Sequence, residues 1–222
     1  MNNYKRVNVS DMEDRNIDIL YKELLNKKYQ FMILYCNGKK YVLTKERSIM
    51  EIDSEEMFFN DFENDIYYKT IIKNSDVNIN KQDLNIYNSY IHKFKDKLTE
   101  KRYDDKYYFG CVAVKTNQGI ITTVRGKQNL DDYTMIENVD HKNHVINVFN
   151  KKATLNAPLL DYLFQNENVK AIVHLHDFDN TLPYYEYAFP GTVKDSVRDN
   201  TTSFNIKHHG IIYMFDKDGN IL

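Results

Sequence analysis

Three histidines are the residues of this chain best able to do chemistry together. In Ala171-Ile-Val-His-Leu-His176, His174 and His176 lie two positions apart at the end of an apolar run. On a β-strand, side chains at i and i+2 share a face, so both imidazoles can address one ion. His209, followed by Gly210, can add a third nitrogen from a neighbouring strand. Three imidazoles with an open fourth position describe a catalytic rather than a structural site for a divalent metal, zinc first among them. A His-x-His pair also arises by chance, and only one of His208 and His209 can face inward on a strand. His92, His141 and His144 lie in polar surroundings and read as surface residues.

The elements that must hold these histidines follow from periodicity. Ile17, Leu20, Tyr21, Leu24 and Leu25 form one stripe and predict an amphipathic helix over 16–28. Two β-rich runs, 31–36 and 39–43, flank Asn37-Gly38, the strongest short hairpin signal because both residues tolerate positive φ. Residues 45–80 are acidic and aromatic with no clear period. Leu84, Tyr87, Ile91, Phe94 and Leu98 predict a helix over 81–100. Strands are expected at 109–115, 119–124, 133–139, 144–149 and 170–176, and again over 204–215, interrupted at His208-His209-Gly210. A helix is expected over 156–165, with Pro158 in its first turn and Thr154 or Asn156 as its cap. Polar residues near 74–80 divide an N-terminal helix–hairpin extension, 1–80, from a metal-binding domain, 81–222.

Composition narrows the class. With 42% apolar residues the chain can bury a core. A net charge of −2 with both signs intermixed gives no basic stripe, so nucleic acid is not an expected partner. The first residues lack an apolar secretory segment and no run is long enough to span a bilayer, so a cytoplasmic protein without a membrane partner is expected. Cys36 and Cys111, with no C-x-x-C, read as reduced, buried thiols.

Motif order adds a family resemblance. Gly110-Cys-Val-Ala113, Thr122-Thr-Val-Arg-Gly126, Thr154-Leu-Asn-Ala-Pro-Leu-Leu160, Val173-His-Leu-His176, Pro190-Gly-Thr192 and His209-Gly210 follow one another over roughly 105–215. This series resembles the class II aldolase/adducin superfamily. The resemblance implies an α/β fold with a central mixed or antiparallel sheet flanked by helices, and a divalent ion held by His174, His176 and His209. It further implies a metal-dependent lyase or epimerase acting through an enediolate on a small phosphorylated or otherwise anionic, sugar-like hydroxy-carbonyl substrate. Members commonly form homo-oligomers with sites between subunits.

The departures carry chemistry as well. The family's general acid/base Glu falls at Asn156, whose amide takes no proton at neutral pH. Asn156 can still hydrogen-bond a substrate or a metal-bound water. The family's phosphate loops are altered to Cys111, Ala113, Thr154 and Leu155, while Arg125, Lys127, Lys151 and Lys152 cluster in the same loops. Arg125, Lys127 and Thr154 are therefore the candidate substrate-binding residues. Asp177, Asp179 and Glu186 are carboxylates that could replace the missing base, and Tyr184, Tyr185 and Tyr187 lie where the family places a proton-donating tyrosine from a neighbouring subunit. Asn156, Glu186 and Tyr185 are the candidate catalytic residues. A catalytically silent binding or assembly domain is the alternative.

Overall fold

The computed structural model describes residues 3–45, 47–75, 77–100, 102–103, 106–198 and 201–222. The chain begins with β1 (Tyr4–Asn8), α1 (Asp14–Asn26), β2 (Phe31–Cys36), β3 (Lys39–Thr44), β4 (Ile49–Ile52) and α2 (Glu55–Asn64). The four strands form one sheet in the order β1-β2-β3-β4, parallel only between β1 and β2. Asn37 and Gly38 both take positive φ between β2 and β3, as the hairpin signal required. Successive side chains of β2 point to opposite faces, and each face is covered by a helix. Met32 and Leu34 pack against Ile17, Leu20 and Leu24 of α1, while Phe31 and Ile33 pack against Phe58 of α2. Leu24 is fully buried, so Leu24→Ala carries a cost of about 2–5 kcal/mol.

The sequence left 45–80 without elements; it holds β4, α2 and β5 (Lys69–Lys73). Helix α2 starts at Ser54, whose side chain accepts from the Met57 amide. Its packing surface is built of Phe58, Phe59 and Phe62, which meet Phe31 at ring-centroid distances of 5.0 to 5.9 Å.

Next come α3 (Lys81–Lys93), α4 (Lys95–Glu100), β6 (Arg102–Tyr103), β7 (Tyr107–Tyr108), β8 (Cys111–Thr116), β9 (Gly119–Thr123), β10 (Tyr133–Asp140) and β11 (Val145–Phe149). The chain continues with α5 (Ala157–Leu163), β12 (Ala171–Leu175), β13 (Tyr184–Tyr185), α6 (Val193–Ser196), β14 (Phe204–Ile206) and β15 (Gly210–Phe215). The expected helix over 81–100 is two helices, broken at Phe94, whose ring packs on Tyr213 and Phe215. Nine strands make the larger sheet, ordered β13-β14-β15-β12-β8-β9-β10-β11-β5, while β6 and β7 pair separately. The larger sheet is mixed, parallel at β11–β5 and β13–β14 and antiparallel elsewhere.

Both faces of this sheet are covered, which is why its central strands read as continuous apolar runs. Tyr87, Ile91 and Leu98 of α3 and α4 cover Val112, Val173 and Phe215 on one face. Leu159, Leu160 and Leu163 of α5 cover Ala113, Ile172 and Ile212 on the other. No helix among the described residues is long and apolar enough to cross a membrane.

Candidate metal centre

Strand period decides where the histidines point. His174 is even-numbered like Ile172, so it projects from the α5 face, and His176 follows on the same side. Directly across the antiparallel ladder, His174 pairs with Cys111 of β8 and with Ile212 of β15. β15 carries His209 to this point, because the β14–β15 hairpin turns at His208, which takes a positive φ and faces solvent. His209 therefore turns inward alone. The candidate ligand nitrogens of His174, His176 and His209 all lie within 4.8 Å of one another.

Backbone makes room for this cluster at two glycines. A Cβ on Gly110 would lie 2.5 Å from the His174 carbonyl oxygen, and one on Gly210 would lie 2.1 Å from that of Leu175 and 3.1 Å from Cε1 of His174. The glycines that open the Gly110-Cys and close the His209-Gly motifs are thus requirements of close approach.

The nitrogens are sorted by their partners. Nδ1 of His174 lies 3.0 Å from the carbonyl oxygen of Ile211, which only accepts, so Nδ1 carries the proton and Nε2 keeps its lone pair. Nδ1 of His209 lies 2.6 Å from Oγ of Ser48. Nε2 of His174 and Nε2 of His209 are buried and meet no hydrogen-bond partner among the described residues. Burial pushes His174 down to about 4, against the opposing hydrogen bond it donates to the Ile211 carbonyl, and burial with the nearby His174 and Arg198 holds His209 well below the usual histidine value. Both are neutral near pH 7, the form that binds metal. His176 stacks on Phe109, centroids 4.4 Å apart. Two orphaned nitrogens facing a third imidazole fit a divalent ion, since an unpartnered buried polar atom otherwise costs about 1–3 kcal/mol.

The cluster opens into a cavity of about 330 Å³. Seven of the nine candidate residues reach its wall: His174, His176, His209, Arg125, Lys127, Thr154 and Asn156. Lys45, from the end of β3 in the small sheet, is a wall residue that sequence reasoning missed. Among the described wall residues there is no carboxylate, so the charged walls are cationic. Lys127 is almost fully buried and donates to the carbonyl oxygens of Tyr108 and Gly110 at 3.0 and 2.5 Å. Burial lowers it to about 8, partly offset by the Cys111 side chain. Cys111 is a free, buried thiol, as expected, and so is Cys36.

Asn156 stands at the cap position of α5 but makes no side-chain cap bond. The Thr154 carbonyl accepts from the Ala157 amide instead, at 3.2 Å. The buried side chain of Asn156 lines the cavity and also hydrogen-bonds with the Cys111 thiol. Glu186 and Tyr185 do not reach the cavity wall. Glu186 is exposed and pairs with Lys207, and Tyr185 packs edge-on against Phe204. Asp177 pairs with Lys97 at 2.6 Å, and Asp179 accepts from Thr181. Tyr187 is the tyrosine of that segment nearest the imidazoles, its ring edge-on to His209 at 5.4 Å.

No family model matches the sequence, and no curated protein matches it. Solved structures similar to it include aldolases and a putative aldolase/epimerase/decarboxylase. An L-fuculose 1-phosphate aldolase is 17% identical, with a TM-score of 0.45 over 61% of this chain and 76% of that chain. L-fuculose-1-phosphate aldolase from Thermus thermophilus is 13% identical, with a TM-score of 0.40 over 60% and 80%. YgbL from Escherichia coli is 17% identical, with a TM-score of 0.42 over 60% and 76%.

Proposed function

We propose that this protein is a metal-dependent lyase or epimerase, acting through an enediolate on a small phosphorylated or otherwise anionic hydroxy-carbonyl compound. The observation that carries the reading is the pair of buried, unpartnered Nε2 atoms of His174 and His209 at a cavity whose charged walls are cations. His174, His176 and His209 would hold the ion, with zinc suited to three imidazoles. When bound, the ion supplies Lewis acidity, polarising a carbonyl so that negative charge on its oxygen becomes less costly.

The protein's own residues supply the rest. Arg125, whose fork matches phosphate or carboxylate oxygens, and Lys127 bind the anionic group, with the Thr154 hydroxyl as a further donor. Asn156 orients the substrate through its amide. Lys127, held at about 8 by burial, lines the cavity and is placed to exchange a proton near neutral pH. Tyr185 and Glu186 are turned away from their own cavity, so a proton-transfer role for them requires the site of a neighbouring copy in a homo-oligomer.

One observation favours a second reading, a catalytically silent binding domain: the absence of a carboxylate among the described wall residues. Metal analysis of the purified protein beside His174→Ala/His176→Ala tests the first step. Near-stoichiometric transition metal that disappears in the folded variant is the expected result, and phosphorylated sugars and hydroxy acids are then screened for turnover. Metal-free wild type after reconstitution would remove the basis of the enzyme reading. Stoichiometric metal with phosphate-ester binding but no turnover would favour the silent domain.

A further inference from the structure

Nδ1 of His209 meets a residue that lies outside the larger sheet and outside the motif series. Ser48 sits in the β3–β4 turn of the small sheet and is fully buried, with Oγ 2.6 Å from Nδ1 of His209. The turn is fixed from several sides. The Thr44 amide donates to the Ser48 carbonyl at 2.9 Å, and the Ser48 amide donates to Oγ1 of Thr44 at 3.3 Å. The Tyr21 hydroxyl donates to the Lys45 carbonyl at 2.8 Å, and Arg47 forms an ion pair with Asp18 of α1. Beyond the serine, the Ile49 amide donates to the His208 carbonyl at 3.4 Å. The turn is thereby bonded to α1 on one side and to the His209 hairpin on the other.

The two inward histidines differ in how their tautomers are set. At His174 the partner is a carbonyl, and the protonated Nδ1 is forced. At His209 the partner is a hydroxyl, which can donate or accept, so the ring can be held in either tautomer. Only Nδ1–H with a bare Nε2 leaves a lone pair for an ion on the side where Nε2 has no other partner.

We propose that Ser48 is a positioning residue of the metal centre: its hydroxyl oxygen accepts a hydrogen bond from Nδ1–H of His209 and so aims Nε2 at the ion. The small sheet is then a working part of the site. This inference rests on the metal reading above. Partners of this kind, which fix ring orientation and tautomer, change metal affinity by about 10–100-fold when removed.

Zinc affinity, measured by competition with a chromophoric chelator, tests it on the wild type, Ser48→Ala and Ser54→Ala. Ser54 caps α2 in the same small-sheet unit and has no bond to His209. Ser48→Ala is expected to bind zinc about 10–100-fold more weakly, while Ser54→Ala lowers the melting temperature and leaves zinc affinity alone. Equal affinity in Ser48→Ala and wild type would overturn this inference and leave the metal reading intact. An equal loss in Ser54→Ala would overturn it too, since general loosening then explains the effect. No zinc binding by the wild type would defeat both readings. If Ser48→Ala does not fold, the nitrogen-15 shifts of His209 in the zinc-loaded wild type decide: a protonated Nδ1 is expected, and a metal-bound Nδ1 overturns the proposal.

Discussion

Two imidazole sites in this protein differ in what their nitrogens meet. His141, expected at the surface, is half-buried, with Nε2 2.9 Å from Asp161 and Nδ1 2.7 Å from the Tyr68 hydroxyl. Both of its nitrogens are spent within the fold, tying the end of β10 to α5 and to the approach to β5. The His174–His176–His209 cluster is more deeply buried, yet two of its nitrogens are left without partners. Greater burial would by itself predict more satisfied nitrogens in the cluster, and the reverse is found. Hydrogen-bond satisfaction separates them: His141 has both ring nitrogens answered by the protein, while among the described residues Nε2 of His174 and of His209 has no partner, as the proposed ligand role requires.

The largest effect that could break this contrast is on metal. His174→Ala/His176→Ala should abolish stoichiometric binding while leaving a folded protein, and His141→Ala should leave metal content unchanged. Retention of metal in the double variant, or its loss in His141→Ala, would reverse the assignment of the two groups. Next in size is stability. His141→Ala and Asp161→Ala should each lower unfolding free energy by about 1–2 kcal/mol, because each strands a part-buried partner. Denaturant melts of the metal-free proteins would measure this, and a neutral His141→Ala would show that its bonds contribute nothing.

A smaller effect sharpens the reading of the cationic walls. Lys127 is held at about 8 by burial, below its usual value, so it loses its proton as pH rises through about 8. Inorganic phosphate should then bind several-fold more weakly at pH 9 than at pH 7, with the remaining affinity carried by Arg125. The sign for stability is opposite. The native state bears the cost of the buried charge below pH 8, while the unfolded lysine stays protonated to about 10.4. Stability should rise between those values and then level off. Lys127→Met should flatten both profiles, as calorimetry and pH-dependent melts would show.

The parts legible from sequence were those set by local rules. The i, i+2 spacing placed His174 and His176 on one face, and Asn37-Gly38 set the hairpin. The mixed sheet flanked by helices agrees with the fold that the motif series implied. Other features depended on distant partners. Helix α2 carries its apolar surface as clustered phenylalanines among acidic residues, so no stripe stood out until Phe31 supplied the opposing ring. His141 lies in a polar stretch, and its partners Tyr68 and Asp161 come from segments 73 and 20 residues away. Lys45 and Ser48 lay in the region without a period, and nothing local to them signals an imidazole across the fold.

The Ser48–His209 bond spans 161 residues of chain. The hairpins within each sheet close short loops at small entropic cost, whereas this contact waits until both sheets exist and have met. On refolding, backbone structure should therefore recover before zinc is captured at full affinity. If the three imidazoles hold zinc as proposed, the lag between the two signals would time the docking of one sheet against the other.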